Sequence, residues 1–217
     1  MPGRNSVFRA LITLYLNNYQ MTAMDYGRIK RELGPPDARW ICVFGTSDPA
    51  DTQSVEESER MGRALAQAGY VVVTGGYGAA MEGANRGAQA AGGYSVGVTC
   101  SLFSRKPNAY LNHRFEADSL LQRLETLLRL GDGYVAGKGG TGTLAEIALA
   151  WEYINKRILP GRALVLLGDF WSVLPEIMRN AKAAPGVSLG RASESIATAR
   201  DVQEAVRILN QTLGKSA

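Results

Sequence analysis

The sequence predicts a Rossmann-like α/β fold, a doubly wound and mainly parallel sheet with helices on both faces. Three observations carry this expectation. Short apolar runs such as Trp40-Ile41-Cys42-Val43-Phe44 and Tyr70-Val71-Val72-Val73-Thr74 lack polar alternation, so they suit strands buried on both faces. Amphipathic helical stretches alternate with these runs, as parallel crossover units require. Several runs end in glycine-rich turns that lead toward a helix, and much of the chain's 25 glycines is spent there. At 217 residues, 46% hydrophobic and 20% charged, the chain suffices for one such domain with a full core.

The elements follow in order. Residues 1–37 read as a helical leader: Phe8, Leu11, Ile12, Leu14, Tyr15 and Leu16 suggest one short amphipathic helix, residues 26–33 a second, and Gly34-Pro35-Pro36 breaks the chain. Residues 38–217 read as a single nucleotide-binding domain. Its first strand is 40–44, followed by a helix at 55–68 with Met61, Leu65 and Ala68 on one face. A second strand at 70–74, a small-residue helix at 79–91 and a third strand at 95–98 come next. Residues 99–116 read as a long loop. A strongly amphipathic helix at 117–130 precedes a fourth strand at 133–136, a helix at 143–155, a fifth strand at 163–167 and a helix at 170–181. A short strand near Ile196 and a last helix capped by Asp201 complete the reading. Trp151 and Trp171 are expected in the core or at an interface.

Composition removes several function classes. The net charge of +4 is scattered rather than striped, which argues against nucleic acid and suits an anionic small molecule. Two cysteines, Cys42 and Cys100, fall in or just after core strands and form no CxxC pair, and the one histidine, His113, reads as a loop residue with no nucleophile elbow nearby. No metal site and no cofactor is expected. No apolar run has transmembrane length and no signal-peptide pattern is present, so the expectation is a cytosolic protein without a membrane partner.

Doubly wound sheets bind ligands outside the carboxyl ends of their strands. Three such ends carry small or glycine-rich turns: Gly45-Thr46-Ser47, Gly75-Gly76-Tyr77-Gly78 with Met81 and Glu82 just beyond, and Gly137 to Thr143, which contains Gly139-Gly140-Thr141-Gly142-Thr143. Glycine lets backbone approach a ligand, and the free N–H groups of a first helical turn favour an anion. The last of these turns is the expected phosphate seat. It lacks P-loop spacing, and the second turn is not a GxGxxG fingerprint.

The run Lys138-Gly139-Gly140-Thr141-Gly142-Thr143-Leu144-Ala145-Glu146 resembles the PGGxGTxxE motif of the Lonely-guy family, cytokinin-activating phosphoribohydrolases once labelled lysine decarboxylase-like. Gly75-Gly76-Tyr77-Gly78-Ala79-Ala80-Met81-Glu82 is similar to that family's first glycine turn, in the Met-Glu variant shared with molybdenum cofactor carrier proteins. Gly92-Gly93-Tyr94-Ser95-Val96-Gly97-Val98 is similar to its GGxVxGV strand. Arg123 stands before the glycine pair at the spacing of the family's catalytic arginine. The resemblance implies a homodimer and a site in which Arg123 and Glu146 are catalytic and Gly139, Gly140, Thr141, Gly142 and Thr143 hold phosphate. Gly45, Thr46, Ser47, Gly75, Gly76, Met81 and Glu82 would then contact the nucleotide. Lys138 departs from the motif's proline; it adds a cation beside the loop and removes a stiffening ring.

Plainer readings stand beside these. Thr143 and Glu146 also form a T-x-x-E capping box. Arg123 lies on an amphipathic helix where a solvated arginine is ordinary, and Glu82 suits a helix N-terminus through the dipole alone. The expected activity is hydrolysis of the N-glycosidic bond of a nucleoside 5′-monophosphate. The alternative is a non-catalytic carrier of a nucleotide or molybdenum cofactor.

Overall fold

A computed structural model describes residues 25–182 and 196–214. Its strands are β1 (Trp40–Phe44), β2 (Val71–Thr74), β3 (Ser95–Cys100), β4 (His113–Ala117), β5 (Gly133–Ala136), β6 (Ala163–Leu167) and β7 (Ile196–Ala199). They form one sheet in the order β4-β3-β2-β1-β5-β6-β7, and every pairing is parallel. The helices are α1 (Tyr26–Leu33), α2 (Thr52–Gln67), α3 (Ala80–Ala90), α4 (Leu120–Leu130), α5 (Thr141–Asn155), α6 (Val173–Lys182) and α7 (Val202–Leu213). No helix among the described residues is long and apolar enough to cross a membrane. The helix expected at residues 8–16 lies outside the described residues.

The continuous apolar strands behave as their composition requires. Successive side chains alternate between faces, so β1 sends Trp40, Cys42 and Phe44 into one apolar layer and Ile41 and Val43 into the other. The first layer takes Leu127 and Leu128 from α4 and Ile147 and Trp151 from α5. The second takes Met61 and Leu65 from α2, Ala84 and Ala88 from α3, and Leu209 from α7. Trp171 also closes the first layer, and its indole N–H donates to the Gly137 carbonyl at 2.8 Å. On the other side of the sheet, α2 and α3 touch through backbone: a Cβ at Gly62, Gly83 or Gly87 would run into the Ala84, Val55 or Glu59 carbonyl of the facing helix.

The leader's second helix is α1. Asp25 caps it, Tyr26 and Ile29 pack against the core, and Lys30 pairs with Asp132 at 2.7 Å. Asp132 also accepts from the Trp40 N–H at 2.7 Å, so one carboxylate fixes both α1 and the start of β1.

The sequence reading of residues 99–116 as loop needs correction. β3 runs on to Cys100, and His113 to Ala117 form β4, the edge strand beside it. His113 is therefore a strand residue, packed edge-on against Phe115. Its strand alternates exposed and covered residues because one face of this edge strand is open to solvent, and a charged alternation of that kind does not read as a core strand. Helix starts also shift: α4 begins at Leu120 behind the Ser119 cap, and Ala117 belongs to β4.

The connection from β2 to α3 carries strain. Ala79 has φ 57° and ψ −129°, a left-handed conformation that costs a non-glycine residue about 1–3 kcal/mol. Ala79→Gly removes that cost and gives back part of it in chain entropy. The expected result is a gain of about 1 kcal/mol, or about 2–4 °C in melting temperature. Calorimetric melting checks it, and an unchanged or lower midpoint refutes it.

Candidate functional site

The strand order reverses at β1, which has β2 on one side and β5 on the other. A crevice opens at such a reversal, above the carboxyl ends of the strands. Here it is a cavity of about 610 Å³. Three connections build its walls: the turn after β1, the turn after β2, and the loop from β5 into α5. A fourth wall comes from the residues after β3.

Not every expected contact residue reaches the cavity. Gly45, Ser47, Gly75 and Met81 line it, as do Gly140, Thr141, Gly142 and Thr143. Thr46, Gly76, Gly139 and Glu82 serve the walls instead. Thr46 accepts from the Asp48 N–H at 3.0 Å through its hydroxyl and from the Ala80 N–H at 3.2 Å through its carbonyl. Gly76 has φ 76°, which lets the turn after β2 reverse. Gly139 lies against Thr143 and Gly45, with no room for a Cβ. Glu82 pairs with Arg86 of the same helix at 3.8 Å.

α5 begins at Thr141 with Gly140 as N-cap, and no side chain caps it. By contrast α1, α2, α4 and α7 are each capped by an Asp or Ser side chain. The uncapped first turn of α5 faces the cavity, so its backbone N–H groups and the helix dipole favour an anion there. This start also removes the capping-box reading of Glu146, because Thr143 is already inside the helix. The Thr143 hydroxyl donates to the Gly45 carbonyl at 2.9 Å and ties the two loops together.

Lys138, at the motif's proline position, does not line the cavity. Its ammonium meets the Asp51 carboxylate at 2.9 Å. Asp51 is the N-cap of α2 and accepts from the Ser54 N–H and hydroxyl; the Lys138 hydrogen bond holds its carboxyl below the usual range. The pair fastens the β5 loop to the start of α2.

Arg123 and Glu146 face each other from α4 and α5 across the cavity floor, 3.6 Å apart, and both are buried. The guanidinium is held on three sides. It donates to the Val98 carbonyl at 2.8 Å and to the Gly75 carbonyl at 3.3 Å, and it lies 5.8 Å from the ring centres of both Tyr77 and Phe103. Gly75 must be glycine for this, since a Cβ there would run into the Arg123 guanidinium. Burial pushes the Glu146 carboxyl up to about 7, against the opposing pull of Arg123. At neutral pH this carboxyl therefore holds both protonation states within reach. The two cysteines offer no nucleophile: both are buried, and burial pushes the Cys42 thiol up.

Sequence reasoning missed the fourth wall. Leu102, Phe103, Ser104 and Arg105 line the cavity from the connection after β3, and Leu120 adds the start of α4. The available signal was length, since a long connection beside a ligand crevice is commonly functional. Tyr77, inside the first glycine turn, also lines the cavity.

A family model described as the SLOG cluster4 family matches residues 38–183. The cytokinin riboside 5′-monophosphate phosphoribohydrolase of Rhodococcoides fascians is 30% identical over 141 residues, which cover 62% of this chain and 70% of that protein. The protein of the same name from Mycobacterium tuberculosis is 27% identical over 114 residues, or 51% of this chain and 61% of its own length. Among solved structures, the molybdenum cofactor binding protein of Rippkaea orientalis superposes with a TM-score of 0.66 at 22% identity, covering 82% of this chain and 98% of that one. At that identity the likeness speaks for the fold.

Proposed function

The chain belongs to the SLOG cluster4 family, and from that premise we propose that it hydrolyses the N-glycosidic bond of a nucleoside 5′-monophosphate, giving free base and ribose 5-phosphate. The observation that carries this reading is the buried Arg123–Glu146 pair on the floor of a cavity whose wall is an uncapped helix N-terminus.

In this reading the phosphate sits on the first-turn N–H groups of α5. That fixes the sugar above Glu146. The C1′–N bond breaks with its electron pair going to the base nitrogen, and the sugar passes through an oxocarbenium-like state. The Glu146 carboxylate offsets that positive charge and takes a proton from the attacking water, whose oxygen bonds to C1′; the departing base nitrogen, which holds the C1′–N electron pair, takes a proton from solvent, and Glu146 returns its proton to solvent. Arg123 keeps Glu146 charged enough to act, and its own hydrogen bonds to Val98 and Gly75 fix its position.

Release of free base from a panel of nucleoside monophosphates, followed by chromatography, tests the proposal. Because burial sets the Glu146 carboxyl near 7, the rate is expected to rise at least about tenfold from pH 5.5 to pH 8 as the carboxylate forms. Nucleotide binding with no base released at any pH assigns the chain to the carrier reading.

We also infer a homodimer through α4 and α5. Leu120, Leu121 and Leu144 are exposed on these helices beyond what the sheet face uses. Light scattering at micromolar concentration checks this, and a monomeric mass rejects it.

A further inference from the structure

Parallel neighbours need a crossover, and between β3 and β4 no helix supplies it. Its first part, residues 101–107, forms an arch with both feet on the turn after β2. At one foot the Tyr77 hydroxyl donates to the Cys100 carbonyl at 3.0 Å and accepts from its N–H at 2.8 Å. At the other, Asn108 donates its N–H to the Gly76 carbonyl and its amide to the Tyr77 carbonyl, both at 2.9 Å. The arch is thus fixed at its base while residues 101–106 are all exposed.

The crown carries two unusual side chains. Phe103 is 39% exposed although it lines the cavity; it meets Tyr77 at an interplanar angle of 60° and leaves ring surface open. Arg105 lines the same cavity, and no described carboxylate pairs with its guanidinium. The cavity's other cation, Arg123, is already held by Glu146.

The arch and the α5 loop are set apart by the sheet. β3 and β5 are separated by β2 and β1, three strand spacings or about 14 Å. A ligand with its phosphate on α5 therefore extends its other end toward the arch.

Resting on the reading of this cavity as a nucleoside monophosphate site, we propose that the arch selects the base, with Phe103 stacking on a bicyclic ring and Arg105 donating to its acceptor edge, so that the site takes oxopurine nucleotides in preference to adenine nucleotides. An arginine fork matches the adjacent O6 and N7 acceptors of guanine and hypoxanthine. Adenine presents N7 beside an amino donor, which repels the same fork. A ring face on Phe103 adds affinity for either purine without choosing between them.

The test is calorimetric titration of the full chain with GMP, IMP, AMP and ribose 5-phosphate. GMP and IMP are expected to bind at least about tenfold tighter than AMP, the lower end of what a good arginine–base pair discriminates. Arg105→Ala should bring GMP and IMP to within about twofold of AMP while ribose 5-phosphate is unaffected. Phe103→Ala should weaken all three nucleotides relative to ribose 5-phosphate. Equal affinity for GMP and AMP in the wild type overturns the proposal, as does a preference that survives Arg105→Ala; both results leave the phosphate reading standing. Failure of every ligand to bind, ribose 5-phosphate included, overturns both.

Discussion

Glu146→Gln should bind nucleoside monophosphate with near-native affinity and lose turnover by about 10²-fold or more, the scale of removing one electrostatic stabiliser. Gln keeps the shape and removes the charge. No capping role complicates the result, because Glu146 lies beyond the first turn of α5. Arg123→Ala should lose a comparable amount, and the double variant should be little worse than either single one, since the two act as a unit. A Glu146→Gln chain that releases base at the wild-type rate removes Glu146 from the chemistry.

The same substitution has a stability signature with a definite sign. The folded carboxyl titrates near 7 against an ordinary 4.5, so between these values the folded chain holds more protons than the unfolded one. Stability from this group is complete below pH 4.5 and is lost as pH rises through 7. Gln does not titrate. Its melting temperature relative to wild type should therefore climb from pH 5 to pH 8, and a constant difference refutes the buried-acid account.

Gly140→Trp should abolish nucleotide binding, with at least a 100-fold rise in Kd, and leave melting within a few degrees of wild type. A Cβ at Gly140 meets nothing within 4 Å, and the residue is extended at φ −93°, so the backbone accepts a side chain. The indole then fills the seat in front of the α5 N-terminus, where the anion is expected. Its neighbour behaves oppositely. Gly139 is packed on Thr143 and Gly45, so Gly139→Ala should cost stability before it costs binding. Calorimetric titration beside thermal melting separates the two, and a Gly140→Trp chain that binds normally refutes the phosphate seat.

The parts legible in the sequence are those with a strong period or strong punctuation. β1, β2, β5 and β6 are uninterrupted apolar runs, and they lie at the centre of the sheet where both faces are covered. Arg123 and Glu146 lie far apart in the chain; the family resemblance paired them, and the fold places them 3.6 Å apart. The missed parts have weak local signals. β4 alternates charge with ring because one of its faces is open to solvent, and its pairing with β3 is a tertiary fact. The T-x-x-E pattern placed the start of α5 at Thr143, but the helix takes Thr141 and Gly142 into its first turn, where a glycine is tolerated. Lys138 looked like an extra cation for the ligand, and only the packing of α2 shows that Asp51 claims it. The arch after β3 has neither period nor motif, and its role follows from where Asn108 and Tyr77 pin it.

The backbone contact between α2 and α3 bears on how variation in this chain is to be interpreted. Gly62, Gly83 and Gly87 face carbonyls of the opposite helix, and any larger residue forces the helices apart. Since α3 begins next to the cavity turn while α2 begins just after its Asp51 cap, prising them apart shifts two walls of the crevice at once. A saturation survey scored by activity would therefore rank these three positions beside Arg123 and Glu146, although none of them lines the cavity. The same survey scored by melting would tell the groups apart: the glycine variants would fail both screens, and Glu146→Gln only the first.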